Sequence, residues 1–242
     1  MSTTPLFLED AYNKDCSATV LAVSEDGGLI FDQTIFYAAS GGQPGDMGVV
    51  TFAGGSVEIT DTVYRADRST IAHLTPDGAL LPAVGETVQL SLNWDRRHAH
   101  MRMHTALHLL CSIIPHPVTG GSIGENESRL DFDMPENADK AAVTEALMAL
   151  VDADHATDTR WITDEELDAN PDLVRTLSVQ PPRGSGRIRL VSIGTEGAVD
   201  LQPCGGTHVK STREIGSIHI GKVEKKGKMN RRLRVRFGEA PQ

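Results

Sequence analysis

The sequence predicts an α+β protein in two parts: a small N-terminal β-barrel over residues 1–93, then an α+β domain over residues 94–242 whose helices pack on an antiparallel sheet. Three observations carry this reading. Short β-branched or apolar runs, separated by Gly, Asp and Pro, fill the chain up to about Asn93. After Trp94 the apolar period lengthens to that of a helix. Beyond that point helical and strand patterns are grouped and do not alternate strictly, as a βαβ fold would require. At 242 residues, each part is long enough to bury a core of its own.

The barrel strands are read from "SATVLAVS", "GLIFDQ", "GVVTF", "SVEITDTV" and "GETVQLSL". One stretch breaks the pattern: "YAASGGQPGDMG", Tyr37 to Gly48, has four glycines and a proline in twelve residues and must be a loop. Glycine lets backbone amides approach a ligand closely, and it is equally ordinary hairpin chemistry. Both readings stay open on pattern alone. In the second part, Asp95 is read as the cap of a helix running to about Ile114, with Met103, Leu107, Leu110 and Ile114 as its apolar stripe and Pro115 and Pro117 as its stop. "PVTGGSIG" reads as a glycine-rich turn, "RLDFD" as a strand, and "PENADKAAVTEALMALVDADHA" as a helix begun by Pro135. Thr163 and Glu166 have capping-box spacing at the start of a short helix. "RIRLVSI", "SIHIGKV" and "RLRVRF" complete the strands.

No run approaches the apolar length needed to span a bilayer, and the N-terminus lacks a basic start and a long apolar core. The expectation is a soluble, cytoplasmic protein with no membrane partner. Cys16, Cys111 and Cys204 are too few and too scattered for a disulfide framework, so each is a thiol or a ligand. The net charge of −10 argues against nucleic acid at first, but it hides an asymmetry: Lys210 to Arg236 holds ten Lys or Arg against two acids, a net +8 on a body at −18. A basic end on an acidic body can bind a polyanion in one place and repel it elsewhere. A merely solvated strand and turn is the plain alternative.

"MRMHTALHLLC", Met101 to Cys111, sets His104 and His108 one helical turn apart on one face, the spacing by which two imidazoles reach one metal ion. Alone, such a pair is as well explained by packing. No Glu follows His104, so the H-E-x-x-H metalloprotease pattern is absent. "PCGGTHV" supplies Cys204 and His208, four apart across two glycines. One sulfur and three nitrogens suit tetrahedral zinc better than the oxygen-seeking magnesium or calcium. Cys111 is a rival sulfur, but it sits among Leu109, Leu110 and Ile113, where a buried thiol is the commoner outcome. Four protein ligands close a zinc shell, whereas hydrolytic zinc keeps a position for water; the sequence leaves that tension standing.

"RRHAHMRMHTALHLL", "SRLDFD" and "CGGTHVKSTREIGSIHIGKVEKKGKMNRRLRVRF" resemble the editing domain of alanyl-tRNA synthetase, and especially the AlaX family, which carries that domain without a synthetase. "YAASGGQPGDMG" resembles the GGQ segment of the β-barrel that precedes it. The resemblance runs from about Phe36 to Phe237 and is similar to the medium-sized AlaX class. It implies one Zn2+ per chain on His104, His108, Cys204 and His208, and hydrolysis in trans of tRNA(Ala) mischarged with Ser or Gly. No stable protein partner is inferred.

The need for such an enzyme follows from binding energies. A pocket for alanine rejects glycine, one methyl group smaller, by only roughly 10 to 200-fold, and an added hydroxyl by about 100-fold. A second site that hydrogen-bonds the serine hydroxyl leaves buried polar groups unpaired when alanine enters. Hydrolysis of the ester then needs a positioned water and a group for the oxyanion. The candidates are the Gln43 amide with the backbone amides of Gly41 and Gly42, and Thr119 for the serine hydroxyl. In "RRLRVRF", alternation sets Leu233, Val235 and Phe237 against Arg232, Arg234 and Arg236; with Lys225, Lys226, Lys228 and Arg231, these are the candidate tRNA contacts. Two other readings remain: a zinc-stabilised RNA-binding module without catalysis, and an editing hydrolase for another aminoacyl-tRNA.

Overall fold

The computed structural model describes residues 2–176 and 186–241. The chain divides into two compact units, Met1–His98 and Ala99–Gln242.

The first unit is a nearly closed, seven-stranded antiparallel barrel. Its strands are β1 (Asp15–Val23), β2 (Leu29–Phe31), β3 (Gly48–Phe52), β4 (Gly55–Ile59), β5 (Asp61–Tyr64), β6 (Ile71–Leu74) and β7 (Thr87–Leu92), and they lie in the order β4-β3-β7-β1-β2-β6-β5. Alternation along each strand sends Ala18, Val20, Val50, Val57, Ile59, Val88 and Leu90 inward, where they meet Leu29, Phe31, Ile35 and Phe36. The run "SVEITDTV" is two strands, with Thr60 between them. Strand β6 was not read from sequence, because four residues that include a buried His73 make a weak apolar signal. That histidine is held by Thr34 Oγ1 at 2.7 Å and by the Leu29 carbonyl at 3.1 Å. Burial lowers its pKa to about 4, so it serves the barrel as a neutral core residue.

The Tyr37–Gly48 stretch is a loop organised by an ion pair. Asp46 and Arg97 are both buried, with Arg97 Nε donating to Asp46 Oδ2 at 2.8 Å. The same carboxylate oxygen accepts from Tyr37 N at 2.6 Å, and the guanidinium also donates to the carbonyls of Ala11 and Ile35. Gly45 lies so close to Thr62 that a Cβ there would sit 2.1 Å from its carbonyl oxygen. The loop is therefore pinned to the barrel at both flanks.

Arg97 belongs to helix α1 (Trp94–Ile113), within which the division of the two units falls. Its N-cap is Asn93, whose Oδ1 accepts from Arg96 N at 3.2 Å; Asp95, the expected cap, lies inside the first turn, where an acid still complements the helix dipole. The stripe Met103, Leu107, Leu110 and Ile114 is buried as expected.

The second unit continues with β8 (Val118–Ser122), β9 (Glu127–Asp133), α2 (Lys140–Asp152), β10 (Thr157–Ile162), α3 (Asp164–Asp168), β11 (Ile188–Ile193), β12 (Asp200–Pro203), β13 (Ile218–Lys225) and β14 (Asn230–Phe237). Two antiparallel sheets result, β8-β9-β14-β13 and β10-β11-β12. Helix α2 runs along the edge strand β13. Ile220 N donates to Thr144 Oγ1 at 3.0 Å, Ile218 N to Met148 Sδ at 3.4 Å, and Lys140 Nζ to the Gly221 carbonyl at 2.8 Å. Side chains thus satisfy an edge that would otherwise be open. α2 starts at Lys140 with Asp139 as its cap, not at Pro135, because the Asp139 side chain accepts from Ala141 N and Ala142 N. The capping box of Thr163 and Glu166 is present. "PVTGGSIG" is not a turn: Val118–Ser122 pairs with β9, and neither Gly120 nor Gly121 has positive φ. Strand register slips between Val118 and Gly120, leaving Thr119 as the extra residue of a bulge.

Removing the acid of the Asp46–Arg97 pair strands a buried guanidinium. Asp46→Asn is expected to lower stability by about 3–5 kcal/mol in urea unfolding.

Candidate metal centre and nucleic-acid interface

Four side chains of the second unit converge. His104 and His108 extend from one face of α1, and Cys204 and His208 from the turn after β12, so that their ligand atoms all lie within 4.8 Å of one another. Cys204 Sγ is 3.5 Å from His104 Nε2 and 3.3 Å from His208 Nε2. Tetrahedral zinc, with bonds of about 2.0–2.1 Å to nitrogen and 2.3 Å to sulfur, would set neighbouring ligands roughly 3.3–3.7 Å apart. The cluster fits that ion in spacing and in donor chemistry. The three histidines are buried, while Cys204 is half-buried beside an exposed Gly205, which marks the side of the cluster nearest solvent.

The turn carrying Cys204 and His208 is held by Arg189 of β11. Its buried guanidinium donates through Nη1 to the carbonyls of Cys204 and Gly206, both at 2.9 Å, while Gly206 N donates to Cys204 Sγ at 3.3 Å. Neither Gly205 nor Gly206 has positive φ, so Arg189, and not a left-handed glycine, sets the bend. Arg189 was missed as a functional residue; its signal was a charge in the otherwise apolar strand "IRLVSI". Thr105, one turn from Met101 on α1, was missed as well. Its hydroxyl donates to the Met101 carbonyl at 3.0 Å and is thereby oriented to accept from His208 Nδ1 at 3.1 Å.

Burial alone would push the Cys204 thiol up, but the imidazoles of His104 and His208 outweigh it and hold its pKa well below the ordinary thiol value. Burial, with His104 beside it, takes His208 well below the usual imidazole range. His108 goes the other way: burial disfavours its charge, yet its hydrogen bonds to Asp200 and Cys204 raise its pKa to about 10. A thiolate among imidazoles is what metal ligation requires. Cys111, the rival sulfur, is buried and stays protonated, its pKa raised to about 12 by burial first and then by Asp200.

Gln43 and the glycines before it belong to the first unit. Ser40 N donates to Gln43 O at 3.1 Å and Gln43 N to Ser40 O at 2.9 Å, closing a two-residue turn. Gly41 and Gly42 both have positive φ, 55° and 83°, the signature of a type I′ turn. The glycine tip is exposed and the Gln43 side chain buried. Thr119, in the second unit, donates to the Asp131 carbonyl at 3.1 Å and accepts from Asn230 Nδ2 at 2.8 Å.

The basic strand β14 alternates as expected, but its arginines are already paired. Arg232 meets Asp131 at 2.7 Å, Arg234 bridges Glu127 and Glu224 at 2.5 Å each, and Arg236 meets Glu127 at 2.5 Å. Arg231 has the parity of Leu233 and Val235; it is buried and donates to Asn137 Oδ1 at 3.0 Å and to the carbonyls of Gly227 and Pro135. Lys226 pairs with Glu224 at 3.0 Å. Lys225 and Lys228 are exposed and have no ion pair among the described residues.

The family described as threonyl and alanyl tRNA synthetase second additional domain matches residues 188–234, and that described as tRNA synthetases class II (A) matches residues 7–96. The alanyl-tRNA editing protein AlaX-M of Methanosarcina acetivorans is 34% identical over 241 residues, spanning 96% of this chain and 97% of the relative. The chain belongs to the AlaX-M family of alanyl-tRNA editing proteins. The likeness extends to AlaX-L of Pyrococcus horikoshii, 30% identical over 92% of this chain and 55% of that protein, and to the alanine–tRNA ligase of Pyrobaculum aerophilum, 37% identical over 92% of this chain and 25% of the ligase. Among the described residues of this AlaX-M family member, no helix is long and apolar enough to cross a membrane.

In purified protein, the double change Cys204→Ala, His208→Ala is expected to abolish metal content, and Cys111→Ala to leave it intact. Metal analysis reads both; the reverse pattern would make Cys111 the sulfur ligand.

Proposed function

We propose that this AlaX-M family member is an aminoacyl-tRNA hydrolase that clears mischarged tRNA(Ala), chiefly Ser-tRNA(Ala) with Gly-tRNA(Ala) as the second substrate, and that it carries one zinc ion per chain. The observation that carries the reading is the His104, His108, Cys204 and His208 cluster in a chain similar over 96% of its length to an alanyl-tRNA editing protein. Zinc on those four residues would supply a fixed positive charge where the terminal ribose and aminoacyl oxygens enter. Thr105 and Arg189 keep His208 and Cys204 turned to their common point.

Gln43 is assigned to orient the ester and the attacking water, since its amide both donates and accepts. The exposed amides of Gly41 and Gly42 are assigned to the developing oxyanion. Thr119 is the candidate for the serine hydroxyl; to donate there it must give up its bond to the Asp131 carbonyl, a loss that alanine could not repay. Lys225 and Lys228 are assigned to phosphate, along with the paired arginines Arg232, Arg234 and Arg236.

The closed donor set also favours a second reading, a structural zinc in an RNA-binding module without hydrolysis. Single-turnover deacylation of tRNA(Ala) carrying Ser, Gly or Ala separates the two. The proposal expects Ser and Gly to be released and Ala spared; survival of Ser-tRNA(Ala) would leave the binding module. Gln43→Ala should slow release from Ser-tRNA(Ala) by roughly 10 to 1000-fold, as for loss of one oxyanion-type donor, with zinc content and tRNA affinity near wild type. An unchanged rate would reduce the loop to hairpin chemistry.

tRNA affinity should fall with salt, and Lys225→Ala with Lys228→Ala should flatten the slope of log affinity against log salt by roughly one per lysine. Arg234→Ala should weaken binding more than either lysine change, because it removes a cation and also leaves Glu127 with only Arg236 and Glu224 with only Lys226 as ion-pair partners, so that more negative charge faces the phosphates. A slope that none of these changes moves would put the tRNA on another face.

A further inference from the structure

We infer that Asp200 is a positioning residue of the metal centre: its carboxylate fixes His108 as an Nε2 ligand and balances the charge of the loaded site. The inference rests on the zinc reading above. Asp200 Oδ2 lies 2.8 Å from His108 Nδ1, a contact between residues 92 apart in sequence, and Asp200 is almost completely buried. Gln202 Nε2 donates to the same oxygen at 2.8 Å and keeps the carboxylate turned toward the ring. A ring nitrogen that donates its hydrogen to a carboxylate cannot also offer a lone pair to a metal, so His108 is left to ligate through Nε2 alone.

Orientation by itself does not require a charge. His208 is oriented by the neutral hydroxyl of Thr105 at 3.1 Å. A carboxylate at His108 answers a second need. A dication with one thiolate and three neutral imidazoles keeps a net positive charge in a mostly buried cluster, and an uncompensated buried charge is costly. Asp200 supplies the missing negative charge. The need is mutual: among the described residues Asp200 has no ion-pair partner except His108, and its Oδ1 is buried without a hydrogen bond. Asp200 also opens β12, the strand that leads directly into Cys204, so one short element carries both the thiolate and the balancing carboxylate.

The test is a zinc competition titration of the full chain against a chromophoric chelator, for wild type, Asp200→Ala and Asp200→Asn. The expected result is zinc affinity about 10 to 100-fold weaker in Asp200→Ala, with a smaller loss in Asp200→Asn, which keeps an acceptor oxygen and drops the charge. A merely structural role would not move the ring-nitrogen signals of His108 in nitrogen-15 NMR of the zinc-loaded protein; the inference expects both variants to shift the Nδ1 signal. If Asp200→Ala does not fold, Asp200→Asn decides. Wild-type zinc affinity and unshifted His108 nitrogens in a folded Asp200→Asn protein would overturn the inference. A wild-type chain that binds no zinc would overturn the zinc reading and this inference with it.

Discussion

The second unit is organised around one point at which a helix and a turn a hundred residues apart must meet: Cys204 Sγ against His104 Nε2. Three buried imidazoles and a thiolate would be an expensive interior in the absence of a shared cation, because each removes a polar group from water with few hydrogen-bond partners. The surrounding residues lower that cost. Arg189 clamps the turn, Thr105 aims His208, and Asp200 with Gln202 aims His108. Strands β11 and β12 bring Arg189 and Asp200 into reach, with Ile193 opposite Asp200 and Leu190 opposite Pro203.

A different constraint shapes the sheet face formed by β9, β14 and β13. Its cations and acids sit in cross-strand register, Asp131 opposite Arg232 and Glu224 opposite it on the far side, Arg129 opposite Arg234 and Lys222 beyond. Ion pairs between partly exposed groups are worth little to stability, about 0–1 kcal/mol each. Their consequence is geometric: the guanidiniums are held in rows, with much of their side-chain freedom already given up. Lys225 at the end of β13 and Lys228 in the turn before β14 keep the freedom the arginines lack.

Much of this was legible in the sequence. Barrel strands followed from β-branched alternation, helix α1 from its stripe, and the cluster of three histidines and a cysteine from two spacings of four. What escaped was non-local. Nothing near Asp200 points to His108, and the register that sets Glu127 against Arg234 and Arg236 exists only once β9 and β14 pair. Arg231 was grouped with the surface arginines because a run of basic residues reads as one patch, although strand parity turns it inward. Local capping misled twice, at Asp95 and Pro135, where a neighbouring Asn93 or Asp139 with the better hydrogen bond took the cap.

The most direct measurement is the rate of Ser-tRNA(Ala) deacylation by the purified protein before metal removal, after a chelator has stripped it, and after zinc is restored. A metal centre that organises the reacting end predicts loss of the rate on stripping and its return with stoichiometric zinc. A rate that persists in metal-free, folded protein would contradict it.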